Sequence, residues 1–315
     1  MVGDTSGARE YSVVVPLFNK RASIDRALDS VLAQGHVVEI VVVDDGSTDD
    51  GAEIVEQRSD PRIRLVRQSN QGVSAARNRG VKESRNELIA FLDADDEWLP
   101  GFLDTIDALI ELYPSAGAYT TSYQETTEGR TRTIRHPSLP HPFTGTPYYF
   151  RCVRHGDYFC TPTIVVRKAA MQDINGFNNS SWLWEDSDAW GRLVLKGYDI
   201  AHSTEVGAVY HKEGSNHALK RGLPAKAAFI ESAVRHMSEH PGSEDEDLLA
   251  YINRMIYLTA RRNVFHGHNV LAREIIADRP SNKMLGKLAM CYCLTYIPPR
   301  VAQRTKELWF KFGLD

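Results

Sequence analysis

Five short apolar runs separated by amphipathic stretches are the feature that most restricts the fold. Tyr11–Phe18 (YSVVVPLF), Glu39–Val43 (EIVVV), Ile63–Arg67, Leu88–Leu92 and Gly117–Ser122 are rich in apolar and β-branched residues and too short for helices. Between them, Lys20–Gln34, Asp49–Arg58, Gly72–Ser84 and Pro100–Tyr113 read as helices; in the first, Ala27, Leu28, Val31 and Leu32 recur at helical spacing. Runs that are apolar almost throughout are strands buried on both faces. Strands alternating with helices give a mainly parallel sheet with right-handed crossovers, so the predicted fold class is α/β.

The pattern weakens from Thr126 to Cys160, where Pro, Gly, His and aromatic residues replace periodicity. A stretch this long without regular elements is usually functional or mobile. Thr163–Val166 and Ala201–Tyr210 read as further strands, and Glu185–Lys196 as a helix. Beyond about Glu213 the chain turns helical, with helices predicted at Ala225–His240, Glu244–His266 and Val270–Ala277. Two regions are therefore expected: an α/β region over residues 1–215 and a helical region over 216–315.

Composition narrows the classes. At 42% hydrophobic and 25% charged, the 315 residues can bury a core, which excludes a disordered chain. Four cysteines make no disulfide framework, and a net charge of −4 argues against a nucleic-acid binder. The opening MVGDTSGAREYS lacks a basic segment followed by an apolar run, so no secretory signal is expected. A cytoplasmic protein is the expectation. The charge is divided: residues 216–315 hold 15 Lys/Arg against 10 Asp/Glu, leaving 22 against 31 in residues 1–215. A basic tail that interleaves apolar residues suits the anionic inner face of a membrane. Packing helices or a homo-oligomer contact account for it equally.

Acidic clusters close two of the strands: Asp44-Asp45 and Asp93-x-Asp95-Asp96. In open α/β sheets ligands bind beyond the carboxyl ends of the strands, so both clusters face the expected crevice. Crowded carboxylates disfavour one another's ionisation unless a cation compensates, and oxygen-only donors suit Mg²⁺ or Mn²⁺. Acids after strands also serve as turn formers, and Ser47 and Asp49 are read that way. Gly72 and Ser74 suit a helix start that attracts an anion, with Arg77 one turn further in, able to fork onto a phosphate or a base edge.

The order of motifs resembles that of the family-2 glycosyltransferases. Val15-Pro16-Leu17-Phe18-Asn19, Val43-Asp44-Asp45-Gly46-Ser47-Thr48-Asp49, Gln71-Gly72-x-Ser74-x-Ala76-Arg77-Asn78-x-Gly80 and Phe91-Leu92-Asp93-Ala94-Asp95-Asp96 carry the resemblance, which covers about residues 11–215. It implies the nucleotide-sugar-binding (GT-A) fold and an inverting transfer from a nucleotide-diphosphate sugar, expected to be a UDP-sugar, in glycan biosynthesis. It further implies that Pro16, Asp44, Asp45, Arg77 and Asp93 bind the nucleotide, with Asp45 favoured over Asp44 for the base. Asp95 is implied as a ligand of Mn²⁺ or Mg²⁺.

Trp182-Leu183-Trp184-Glu185-Asp186-Ser187-Asp188 opens a predicted helix with three acids, which the helix dipole favours. Broad indole faces suit stacking on sugar rings. The segment resembles the family's Glu-Asp motif, which implies Asp186 as the catalytic base, with Glu185 and Trp184 supporting the acceptor side and Asp188 as an alternative base. A sugar hydroxyl needs such a base to become a nucleophile. His211 is implied at the metal or diphosphate, with Lys212 and Ser215 as weaker phosphate contacts and His217 less favoured. Tyr148, Tyr149, Phe150, Arg151, His155 and Tyr158 supply groups for an acceptor pocket, the acceptor being a saccharide or a lipid-linked sugar. Two rival functions are a non-catalytic sugar-nucleotide-binding assembly subunit and a nucleotidyltransferase. The second expects a Gly-rich loop after the first strand, where this chain has Pro16-Leu17-Phe18-Asn19-Lys20.

Overall fold

The apolar runs become strands of a single sheet in a computed structural model that describes residues 9–36, 38–135, 146–154, 159–212, 222–243, 245–278 and 286–297. The first half alternates as expected: β1 (Tyr11–Leu17), α1 (Ile24–Leu32), β2 (Val38–Asp44), α2 (Gly51–Glu56), β3 (Ile63–Arg67), α3 (Val73–Glu83) and β4 (Leu88–Phe91). These four strands lie in the order β3-β2-β1-β4 and are all parallel. The chain winds outward from β1 to β3 and then returns to the other side of β1. The loops after β1 and β4 therefore face each other at the point where winding reverses, the expected place for a ligand.

The sheet continues through β5 (Glu97–Trp98), α4 (Phe102–Leu112), β6 (Ala118–Thr127), β7 (Arg130–Ile134), α5 (Thr146–Val153), β8 (Ile164–Arg167), α6 (Lys168–Asp173), α7 (Glu185–Leu195) and β9 (Ile200–His211). Here β8 lies antiparallel between β4 and β6, while β6 and β9 are parallel and β5 and β7 add antiparallel pairs. Part of the segment expected to lack regular structure is thus ordered, since it holds the end of β6, all of β7 and α5. Its remaining stretches, together with the side chain of Tyr148 and residues His155 and Tyr158, lie outside the described residues.

Strand alternation divides the interior between two faces. On β1, Val13 and Val15 join the core under α1 and α4 with Ile24, Leu28, Phe102 and Ile106, while Val14 joins the opposite core. On β4, Ala90 and Leu88 face the first and Ile89 and Phe91 the second. Each fully buried side chain of this size contributes about 1.5–3 kcal/mol, so a one-residue slip of either strand would be costly. The second core extends without a break into α8 (Ala228–Glu239), α9 (Glu246–Phe265), α10 (Asn269–Ala277) and α11 (Gly286–Leu294), through Phe229, Ile230, Tyr251, Ile252 and Ile276. The helical region after residue 215 is therefore a layer built onto the sheet. One glycine sets its closeness to α7, where a Cβ at Gly191 would lie 2.2 Å from the ring of Phe229; likewise α3 sits close on β1, where a Cβ at Gly80 would lie 2.2 Å from Val14. No helix among the described residues is long and apolar enough to cross a membrane.

Candidate active site

A cavity of about 1000 Å³ opens at the carboxyl ends of β1, β2 and β4. One wall is polar and comes from strand-end loops: Pro16, Phe18 and Lys20 after β1, Asp45 and Thr48 after β2, Gln71 and Gly72 before α3, and Asp93 and Asp95 after β4. The rest of the lining is largely aromatic, with Tyr149, Phe159, Trp182, Trp184, Trp190 and Tyr251, and it also carries Glu185 and Asp186.

The loop after β2 shows why adjacent aspartates have different work. Asp44 ends the strand, and its Oδ1 accepts the amide of Ser47 at 2.9 Å. It closes the turn and is not among the cavity-lining residues, so its expected nucleotide contact is corrected. Asp45, the next residue and so on the opposite side, lines the cavity and accepts from Gln71 N, Gly72 N and Gln68 Nε2, each at 2.8 Å. The anion drawn to the start of α3 is thus the Asp45 carboxylate itself. Ser47 and Asp49 act as turn residues: Ser47 Oγ accepts from Asn19 N, and Asp49 accepts from Arg21 N and Gly51 N.

Arg77 is 3% exposed, and its guanidinium bridges Asp93 Oδ1 at 2.7 Å and Glu185 Oε1 at 2.8 Å. Phe177 lies beneath it, 5.4 Å from the ring centroid. Burial opposes its charge, but Asp93 and Glu185 outweigh burial and hold it protonated. Arg77 therefore lines the cavity, where a nucleotide contact is expected of it, and also braces the loop after β4 to the start of α7.

After β4 the three acids diverge. Asp95 accepts from Lys20 Nζ, while its main-chain oxygen accepts from Arg26. Asp96 is fully buried; its Oδ1 accepts the His211 amide at 2.8 Å, and its Oδ2 has no hydrogen-bond partner. Burial first, then the charges of Asp93 and Asp95, push its carboxyl well above the usual range. Burial first, then Asp96 and Asp93, also push up the Cys160 thiol and the Tyr210 phenol. A strongly negative field therefore fills this end of the cavity.

His211 does not join it. Tyr210 and Lys212 of this stretch line the cavity, whereas the His211 ring pairs with Glu97 at 2.9 Å. Period-2 alternation puts 210 and 212 on one side and 211 on the other, so His211, implied at the metal or diphosphate, lies outside the cavity lining. Lys212 pairs with Glu125 at 2.7 Å. Ser215 and His217 lie outside the described residues.

Asp186 stands in the first turn of α7. Its Oδ1 accepts the Ser187 amide at 2.7 Å and its Oδ2 accepts the Thr161 hydroxyl at 3.2 Å. Trp184 precedes the helix in a left-handed conformation, φ 57°. Asp188 faces away: fully buried, it accepts from Arg192 Nε at 2.8 Å and Ser232 Oγ at 2.9 Å, and so is removed as an alternative base. Of the residues proposed for an acceptor pocket, Tyr149 lines the cavity, while Phe150 is buried in the core and Arg151 pairs with Asp247 of α9. Sequence reading missed Lys20, Thr161 and Tyr251, whereas Trp182, singled out for its indole, does line the cavity. Trp182 is held from the helical layer: its Nε1 donates to the Pro224 carbonyl at 3.0 Å and the Arg262 guanidinium lies 5.2 Å from its ring centroid.

Comparison with known proteins bears on this geometry. The model of the "Glycosyl transferase family 2" family matches residues 12–174, and that of the "N-terminal domain of galactosyltransferase" matches residues 142–215. The chain belongs to glycosyltransferase family 2. It is 32% identical over 259 residues to the succinoglycan biosynthesis protein ExoU of Rhizobium meliloti, covering 73% of this chain and 75% of that protein. An uncharacterized glycosyltransferase of Nostoc sp. is 30% identical over 185 residues, covering 56% of this chain. The chain spans 57% of that relative's length, and 62% of the length of an uncharacterized Mycobacterium tuberculosis protein to which it is 35% identical. Among solved structures, Staphylococcus aureus TarS in complex with UDP-GlcNAc superposes with a TM-score of 0.65 at 19% identity, covering 96% of this chain and 92% of that one. At that identity the likeness is one of fold, and the fold is GT-A.

Proposed function

We propose that this glycosyltransferase moves a hexosyl or N-acetylhexosaminyl group from a UDP-sugar to a hydroxyl of a saccharide or lipid-linked acceptor, with inversion at the anomeric carbon. The observation that carries this reading is that Asp186, Asp93 and Asp95 line one cavity, with Asp93 joined through Arg77 to Glu185, the neighbour of Asp186. Inversion requires in-line attack, with acceptor and leaving diphosphate on opposite sides of the sugar. A carboxylate on one part of the lining and a diphosphate site on another suit that requirement.

Asp186, fixed by Ser187 and Thr161, takes the proton of the attacking hydroxyl. Pro16, Asp45 and the loop before α3 receive the nucleoside, Asp45 being oriented by its three donors. Asp95 would hold a divalent cation, Mn²⁺ or Mg²⁺, with Asp93 beside it toward the ribose. The donor set fits: Asp93 and Asp95 are hard oxygen donors that line the same cavity. Such cations are commonly held by one or two carboxylates plus substrate phosphates. When bound, the cation supplies charge stabilisation of the departing diphosphate. The aromatic wall receives the acceptor and excludes water. TarS is described in complex with UDP-GlcNAc and ExoU is named for succinoglycan biosynthesis, which supports a UDP-sugar donor and a polysaccharide product.

The test is a transfer and donor-hydrolysis assay over a panel of UDP-sugars, with Mn²⁺, with Mg²⁺ and with EDTA. Turnover requiring a cation and lost in Asp186→Asn and Asp95→Ala is expected. Turnover indifferent to EDTA and to Asp95→Ala would overturn the cation's role, and binding without turnover would overturn the enzyme.

A further inference from the structure

The acids after β4 are met by two cations of different character. Arg77 is 3% exposed, bridges Asp93 and Glu185, and packs on Phe177. It cannot leave without stranding two carboxylates. Lys20 comes from the loop after β1, its side chain is 21% exposed, and Asp95 is its one salt-bridge partner among the described residues. Both Lys20 and Asp95 line the cavity, and the pair spans the crevice where the winding of the sheet reverses. The main chain at Asp95 is anchored separately, through its carbonyl oxygen and Arg26. The Lys20 ammonium can therefore withdraw while the carboxylate keeps its place. An ammonium on a flexible four-carbon stem is suited to such exchange in a way that a bridging guanidinium is not.

The geometry points to Lys20 as an exchangeable counter-ion of Asp95: it occupies the carboxylate, yields it to the divalent cation, and turns its ammonium to the donor's diphosphate. This inference rests on the reading above that Asp95 takes the cation. Lys20 and the cation compete for Asp95, so the cation alone binds weakly. A diphosphate offers the displaced ammonium a new partner, so diphosphate and cation each strengthen the other's binding by the same factor. Lys20 thus makes cation loading depend on the donor.

The test reads binding, not turnover. Mn²⁺ is titrated by electron paramagnetic resonance with and without UDP, and UDP by calorimetry in EDTA, for wild type, Lys20→Met and Lys20→Gln. Removing one ammonium from contact with a partly exposed carboxylate is expected to tighten Mn²⁺ alone by about five- to tenfold. Both variants should bind UDP several-fold more weakly in EDTA, so the gain in Mn²⁺ affinity caused by UDP shrinks. Lys20→Arg, which keeps the charge but exchanges less readily, should bind Mn²⁺ alone no more tightly than wild type. Unchanged or weaker Mn²⁺ affinity in both neutral variants, with wild type binding Mn²⁺ normally, overturns the counter-ion role and leaves the proposed function standing. Failure of wild type to bind Mn²⁺ even with UDP overturns the cation site and this inference together.

Discussion

The polar wall of the cavity is drawn from residues 16–95, in loops that follow parallel strands, whereas the aromatic wall needs residues 149–190 and Tyr251 from the helical layer. In the first, each loop inherits its position from a buried strand, and its side chains are tied across the crevice: Asn19 Oδ1 takes the Thr48 amide at 2.7 Å, and Asp45 takes two amides of the loop before α3. In the second, position comes from packing between distant segments, such as Tyr149 against Tyr251 and Trp182 between Pro224 and Arg262. The contrast teaches that the polar wall, proposed to take the donor, is fixed locally and the aromatic wall, proposed to take the acceptor, globally, so the two should respond separately to mutation.

The largest effect expected is on chemistry. Asp186→Asn should lower transfer by about 10²–10⁴-fold while UDP affinity by calorimetry stays within about twofold. A matching loss of UDP affinity would break the division between walls. Arg77 joins them, and Arg77→Met leaves Asp93 and Glu185 facing each other without a cation. It should cost about 3 kcal/mol in urea unfolding, since removing one partner of a buried ion pair strands the others. Asp45→Ala should weaken UDP binding by about tenfold and lower the unfolding midpoint, because the amides of Gln71 and Gly72 lose their acceptor. Trp182→Ala should reduce transfer several-fold and leave donor hydrolysis unchanged, with about 0.5–1 kcal/mol of stability lost with the Arg262 contact. Equal losses in transfer and hydrolysis would place Trp182 on the donor side.

The smallest effect is on the pH dependence of stability. Burial pushes the thiols of Cys152 in α5 and Cys291 in α11 from 9.0 up to about 12. A folded-state pKa above the unfolded value contributes stability that is full below pH 9 and is lost as pH rises toward 12. Unfolding followed by fluorescence should show the midpoint falling across that window, less steeply in Cys152→Ala and Cys291→Ala. Exposed Cys293 should react first with a thiol reagent at pH 8.5, ahead of Cys152, Cys160 and Cys291.

What was readable beforehand follows the same contrast. β1 to β4 and the acids behind them were legible because their residues are contiguous and their apolar runs unambiguous; β3 falls at Ile63–Arg67 as expected. The separate fates of Asp44 and Asp45, and of Tyr210 and His211, follow from strand alternation, but only once the strand ends are known. β5 has two residues and no sequence signal of its own. β7, Arg130–Ile134, is almost wholly polar and exposed, so no apolar alternation marked it. Tyr251 looked like any core aromatic on a helix, and nothing local could say that its helix reaches a cavity begun by Pro16.

Trp184 sits two residues before Asp186, the proposed base, with φ 57° and ψ 28°, a backbone region costly for a side chain of its size, by about 1–2 kcal/mol. A chain selected only for durability would put glycine or asparagine there. Heat-challenged libraries of this enzyme should therefore drift at position 184 toward small residues, and libraries sorted for sugar transfer should hold the indole. One codon thus separates two selection pressures that most positions in the molecule feel as one.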